Sequence, residues 1–266
     1  MIAHLRSAGM SQRTACKRSG VTRRVAQYDA KQPLRDEQLM EQIKEAMRVC
    51  PEFGYRQIGG LLKVSERRIR RLWEMHGFTC TKPKKSRKKI VPSENPRPNR
   101  AERPDHVWTY DFMHDTLKSG RPYRLLNVLD EFTRECLTIH VSHAINSQAV
   151  IGILWEVMRK TGRKPAYLRS DNGSEFVAGE IKCWLASQSV GPSYIDLGSP
   201  WQNGFIESFN GKLRMELLKR EWFHTLKEAQ VEIERWRNFY NDERPHSALG
   251  RIPPSKFAAT YQVTAQ

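Results

Sequence analysis

Three acidic residues in this 266-residue chain stand where carboxylates can do chemistry instead of solvating a surface. Asp111 lies inside the alternating run "VWTYDFM", on the face opposite Trp108, Tyr110 and Phe112. Asp171 lies where the strand-like "AYLRS" breaks at "DNG", and Glu207 lies on the flank of an apolar-striped helix. Strand ends and a helix start can bring three such groups to one point. A cluster of that kind repels itself unless cations compensate it. Mg²⁺ takes one or two carboxylates per ion and completes its shell with water and substrate phosphate. The expected cofactor is therefore a pair of Mg²⁺ ions, with Mn²⁺ as a substitute, and Asp111, Asp171 and Glu207 are the expected ligands. Two ions so held would activate a nucleophile and stabilise the leaving oxygen of an in-line phosphoryl displacement.

The helix that must present Glu207 is written in "GSPWQNGFIESFNGKLRMELL", residues 198–218. Gly204 and Gly211 each cost a helix interior roughly 1 kcal/mol relative to Ala. Ile206, Phe209, Leu213 and Leu217 nevertheless recur at spacings of three and four, which marks one buried stripe. Beside it run Glu207 and, two turns on, Arg214, with Asn203, Asn210 and Gly211 between or next to them. Lys212 and Arg214 are placed to hold a nucleic-acid phosphate, and small or amide neighbours let a backbone come close. Trp201, Gln202 and Asn203 either start the helix or touch a splayed terminal base.

The remaining elements follow from pattern. "VWTYDFM", "RPYRLLNVLDEF" and "ECLTIHVSHAI" read as three strands with short antiparallel connections. A helix over "NSQAVIGILWEVMRKTG" opens at Asn146 and closes at Gly162, and then come a strand, the helix "AGEIKCWLASQSV", the short strand "PSYIDL" and the helix carrying Glu207. This is an α/β class, a mixed sheet covered by helices. Asp130 and Glu131 read as turn caps and His246 as structural, Asp115 and Glu175 read as outside the metal shell, and Asp196 is left open.

Charge points to the substrate. Residues 1–100 carry 24 Lys and Arg against 9 Asp and Glu, a net +15 of the chain's +16. A front that basic suits phosphate-backbone binding driven by counterion release. "SQRTACKRSGVTRRVAQY" is a weak helix-turn-helix pattern, and "RDEQLMEQIKEAMRVC" spaces Leu39, Ile43 and Met47 by four. In "YRQIGGLLK" and "VSERRIRRLWEMHGF", Ser65 is placed to cap a helix with Ile69, Leu72 and Trp73 inward and Arg67, Arg68, Arg70 and Arg71 outward. That pair is either a groove-reading module or a solvated basic bundle. Residues 81–104 form a basic, proline-rich linker whose Lys84, Lys85, Arg87, Lys88 and Lys89 either track DNA or merely tether. The expected division is 1–80 DNA-binding, 81–104 linker and 105–266 catalytic. Five scattered cysteines without a C-x-x-C pair, a mean hydropathy of −0.67 and no long apolar run suggest reduced thiols in a cytosol, without membrane insertion or secretion.

"YDF", "SDNGSEF" and "SPWQNGFIESFNGKLRMELL" resemble the catalytic core of bacterial insertion-sequence transposases of the IS-three family, relatives of retroviral integrases. The 35 residues between Asp171 and Glu207 match that family's spacing; "YNDERPHSALGRIPPSKF" resembles the segment that closes the core, and "FGYRQIGGLLK" its upstream helix-turn-helix. The resemblance runs from about Ser11 to Phe257, with a shorter turn between "GGLLK" and "VSERRIRRLW". It implies an RNase H-like fold behind an all-α helix-turn-helix region, with Asp111, Asp171 and Glu207 as a DDE triad on Mg²⁺. The activity it implies is DNA cleavage and strand transfer at the ends of an insertion sequence. Double-stranded DNA, meaning terminal inverted repeats and target, would be the partner, with self-association on paired ends and a possible product of an upstream reading frame. The place would be the bacterial cytoplasm at the nucleoid. The alternatives are a decayed DNA-binding regulator and an RNase H-like nuclease that does not join.

Overall fold

The computed structural model of the chain describes residues 2–23, 31–81, 99–170, 179–196 and 200–262. Contacts divide it into two units, Met1–Val49 and Cys50–Gln266. The first unit holds α1 (Ile2–Ser7), α2 (Gln12–Ser19) and α3 (Lys31–Val49). Ser11 caps α2 by accepting from the Thr14 amide at 3.3 Å, and Gly20 closes it with φ 67°, a conformation that glycine adopts without strain. Cys16 is buried against that turn, and the four-residue spacing of α3 buries Leu39 and Ile43. The second short helix expected after Thr22 lies outside the described residues.

The second unit begins with a helix pair, α4 (Tyr55–Leu61) and α5 (Glu66–Met75). Ile69, Leu72 and Trp73 of α5 face inward as their spacing requires, leaving Arg67, Arg70 and Arg71 exposed and Arg68 half-buried. Ser65 occupies the cap position but its hydroxyl makes no cap bond, contrary to its expected role. The first turn carries Glu66 instead, a carboxylate suited to the positive end of the helix, and it pairs with Arg56 at 2.7 Å and with Arg251. The turn between the helices can be short because Gly59 lies against it: a Cβ there would sit 3.2 Å from the Val64 carbonyl. Gly60 lets the pair settle on Pro245, which a Cβ would meet at 2.9 Å. The pair thus belongs to the same unit as the sheet that follows.

That sheet has five strands in the order β3-β2-β1-β4-β5: β1 (Val107–Thr116), β2 (Pro122–Asp130), β3 (Cys136–Ser142), β4 (Tyr167–Ser170) and β5 (Gly191–Tyr194). The first three are antiparallel, and β4 and β5 continue parallel to β1. The period of two in β1 sorts the core into two layers. Trp108 and Tyr110 pack with Val150 and Leu154 of α6 (Ser147–Thr161) and Ile181 and Leu185 of α7 (Gly179–Ser187). On the other face Met113 joins Ile206, Phe209 and Leu213 of α8 (Gly204–Leu213) and Ile233, Trp236 and Tyr240 of α9 (Leu226–Asp242). The caps of α6 are those expected, with Asn146 accepting from the Ala149 amide at 2.9 Å and Gly162 in the left-handed region. A final helix, α10 (Pro254–Gln262), closes the chain's described part. No helix among the described residues is long and apolar enough to cross a membrane.

The two acids of the β2–β3 turn have different roles. Asp130 does cap the turn, accepting from the Phe132 and Thr133 amides, but Glu131 does not, contrary to its expected role. Glu131 and Arg169, both with side chains 0% exposed, form a buried ion pair at 2.8 Å. A carboxylate beside a turn reads as a cap until its partner, 38 positions along the chain, is folded against it.

His246 is structural, as its isolation suggests. Its ring is buried edge-on against Tyr240 at 4.7 Å, and burial, reinforced by Arg244, pushes its pKa down to about 2. Above pH 6.5 the ring is neutral in both folded and unfolded chains. Below it the unfolded chain binds a proton that the folded ring refuses, so this group removes stability at about 1.4 kcal/mol per pH unit. Denaturant unfolding at pH 7.5 and 5.5 should show a loss that is smaller by about that amount in His246→Gln; an equal loss in both proteins would remove His246 from the acid limb.

Candidate active site

Asp111 is held through both of its carboxylate oxygens. Its Oδ1 accepts from the Phe112 amide and its Oδ2 from Asn210 Nδ2, each at 2.8 Å. The amide oxygen of Asn210 in turn accepts from Asn127 Nδ2 at 2.7 Å, and Asn127 stands opposite Asp111 in the β1–β2 register. One amide on α8 therefore ties the two central antiparallel strands to the helix that carries Glu207. The sequence places Asn210 among small and amide neighbours of the cleft but does not disclose this bridge, because nothing in the local pattern names its partners on two strands.

Glu207, Asn210 and Gly211 of α8 and, just past its end, Arg214 follow at helical spacing along one flank, and all four open onto a cleft of about 380 Å³ shared with Asp111 and His114. Its two carboxylates among the described residues are Asp111, half-buried, and Glu207, exposed. Asp171 lies outside the described residues; the strand before it, β4, runs parallel to β1 with Arg169 opposite Thr109. After Leu213 the helix widens into a π turn, Arg214–Leu218, of the sort that recurs at functional sites. Arg214 begins that turn and donates from Nη2 to the His114 carbonyl at 3.4 Å.

The other expected contacts separate. Lys212 is turned back on its own helix, donating to the Ser208 hydroxyl at 2.9 Å. Gln202 and Asn203 are buried, with their side chains hydrogen-bonded inside the fold. Gln202 is 0% exposed and exchanges two 2.8 Å hydrogen bonds with Asp196, while Asn203 accepts from the Thr109 hydroxyl at 2.7 Å. Both lock the 3₁₀ turn Pro200–Asn203 onto the sheet, and Asp196 is the anchor for Gln202. Trp201 lies in the same turn. Lys84, Lys85, Arg87, Lys88, Lys89 and Glu175 fall outside the described residues.

The integrase core domain family matches residues 101–200 and again residues 188–254. The 31.7 kDa protein of insertion element IS407 from Burkholderia multivorans is 36% identical over the full length of this chain and 96% of its own. The chain belongs to the insertion-sequence transposases with an integrase core. It is thus an enzyme of DNA cleavage and joining. The transposase of insertion sequence IS904 from Lactococcus lactis shares 28% identity over 59% of this chain and 63% of its own. A chain of the simian T-cell lymphotropic virus intasome, in complex with PP2A regulatory subunit B56 gamma, aligns with a TM-score of 0.51 at 18% identity, over 77% of this transposase and 70% of that chain. The five-stranded mixed sheet flanked by helices is the RNase H-like fold.

Gly211 lines this cleft. A Cβ at this position would meet no atom within 4 Å, so protein packing does not call for glycine here. Gly211→Ala should stabilise α8 by up to about 1 kcal/mol while slowing strand joining, because the added methyl projects into the cleft. Unfolding and joining measured on one preparation decide this; a variant that is both more stable and fully active would show that nothing approaches the helix there.

Proposed function

We propose that Asp111, Asp171 and Glu207 form the catalytic centre of this transposase, and that it cuts DNA at the ends of its own element and joins the freed ends to a second phosphodiester. The observation that carries this is the shared cleft: a carboxylate from the central strand and one from α8 open onto the same space, with a guanidinium two turns beyond. Carboxylate oxygens from a strand and a helix are a hard donor set, which fits Mg²⁺, or Mn²⁺ in its place. When bound, such ions supply an activated water or 3′-hydroxyl and stabilisation of the departing oxygen.

The chain's own residues do the rest. Asn210 holds Asp111 so that its carboxylate does not have to be ordered when substrate arrives. Arg214 presents a fixed positive charge to a phosphate next to the scissile one, and its fork suits two phosphate oxygens at once. Gly211 and the bend of the π turn leave room for the sugar-phosphate backbone. Arg67, Arg68, Arg70 and Arg71 on α5 and Lys84, Lys85, Arg87, Lys88 and Lys89 bind duplex DNA through its phosphates. Lys212, Trp201, Gln202 and Asn203 are assigned to building the helix and its start.

The substrates are the terminal inverted repeats and a target duplex, and two copies act on paired ends, since both ends must react together. The site of action is the bacterial nucleoid, with a possible contribution from the product of an upstream frame. Intact carboxylates in an open cleft speak against a decayed regulator, and strand transfer separates a transposase from a nuclease that stops at hydrolysis.

Glu207→Gln and Asp111→Asn should each lower cleavage and joining of a labelled DNA end by far more than tenfold, a deficit well above ~1.4 kcal/mol, while filter binding of duplex DNA stays near wild type. A Glu207→Gln protein that keeps more than about a tenth of the joining rate would end its assignment as a ligand.

A further inference from the structure

The π turn that begins with Arg214 is gripped from behind by one buried side chain. Glu216 lies inside that turn, 5% exposed, and its carboxylate accepts from Arg244 Nε at 2.9 and 3.1 Å and from Nη2 at 2.5 Å. Arg244 comes from the loop after α9, is itself 5% exposed, and stands 5.2 Å from the Phe53 ring and 5.9 Å from that of Tyr240. Burying two charges costs desolvation that an apolar pair of similar volume does not incur, so folding alone gives little reason for this pair. What a guanidinium fork adds is a fixed angle to its carboxylate.

That angle matters because of the turn's geometry. A π turn holds one residue more than the α ladder, and reversion to α spacing would rotate one side of the turn against the other by about 100°. Leu213 just before the turn and Leu217 and Leu218 within it are all held in the core, so a change of spacing would have to be absorbed between them, where Arg214 lies. We propose that Arg244 is a positioning residue for the joining reaction: through Glu216 it fixes the π turn that presents Arg214 in the cleft. The inference rests on the reading of the cleft as the joining site.

The test uses the full chain and a pre-cut DNA end. Arg244→Lys keeps the charge but loses the fork, and the double variant Glu216→Met with Arg244→Met removes both buried charges while filling the space. Each folded variant should lower kcat for joining by roughly tenfold or more with KM for the DNA end little changed. In an Arg214→Ala background the same substitutions should cost less than about twofold more, because the residue they position is gone. A folded variant with wild-type kcat, or effects that simply multiply in the Arg214→Ala background, overturns the inference; should the Met pair fail to fold, Arg244→Lys carries the same comparison. Wild-type protein that does not join this substrate overturns the reading of the cleft itself, a result distinct from multiplicative effects in an active enzyme.

Discussion

The side-chain amide of Asn210 is the tie on which the site depends. Three elements meet there, with β1 giving Asp111, β2 giving Asn127 and α8 giving Asn210 itself. An amide can serve both partners because it donates through nitrogen and accepts through oxygen. A carboxylate in its place would repel Asp111, and an apolar residue would leave the buried Asn127 amide without its acceptor, at a cost of about 1–3 kcal/mol. The flank of α8 thus keeps one polar residue against the sheet while Ile206, Phe209 and Leu213 do the packing. Helix position, strand spacing and carboxylate aim are set by the same pair of hydrogen bonds.

Elsewhere the second unit gives up stability for orientation by burying charge in pairs. Arg163 meets three carboxylates, Asp105, Asp130 and Glu135, at 2.9 to 3.0 Å, and so ties the segment that follows α6 to the one before β1 and to the β2–β3 turn. Burial pushes the Asp130 and Glu135 carboxyls up, opposed at Asp130 by hydrogen bonds from the Asp105, Thr133 and Phe132 amides and at Glu135 by the Arg163 guanidinium. The Glu131–Arg169 pair locks the same turn to β4, the strand that leads toward Asp171. Around Glu216 and Arg244 the burial extends to Glu52 and Cys50, whose thiol is pushed up to about 12 mainly by desolvation. These groups mark where elements far apart in sequence are pinned.

Much of this arrangement is legible in the periodicity of the sequence. The stripe Ile206, Phe209, Leu213, Leu217 announces a half-buried helix despite its glycines, and alternation in "VWTYDFM" puts Asp111 on the face away from Trp108 and Tyr110. Local chemistry also marks Asn146 and Gly162 as the ends of α6. What stays hidden in sequence needs a partner distant in the chain or a fold to bring it near. Gln202 and Asn203 read equally as helix start or as base contacts because a linear pattern does not set Asp196 and Thr109 beside them. Glu131 passes for a cap for want of Arg169, and neither Glu216 nor Arg244 stands out as more than surface charge. Ser65 stands at the cap position of α5 without making the cap bond, while the Glu66 carboxylate beside it pairs with Arg56.

On the proposed reading the reacting groups sit on rigid elements and most of the phosphate-binding charge lies in the basic front, so chemistry and DNA capture would be set by different parts of the chain. On that reading Asp111 and Glu207 together hold the metal at one cleft. Anomalous diffraction from crystals grown with Mn²⁺ tests this directly. The expected result is a peak in the cleft at about 2.0–2.3 Å from a carboxylate oxygen of both Asp111 and Glu207, the range for hard divalent cations on oxygen. A Mn²⁺ peak that touches neither carboxylate, or one held only by groups outside this cleft, would contradict it.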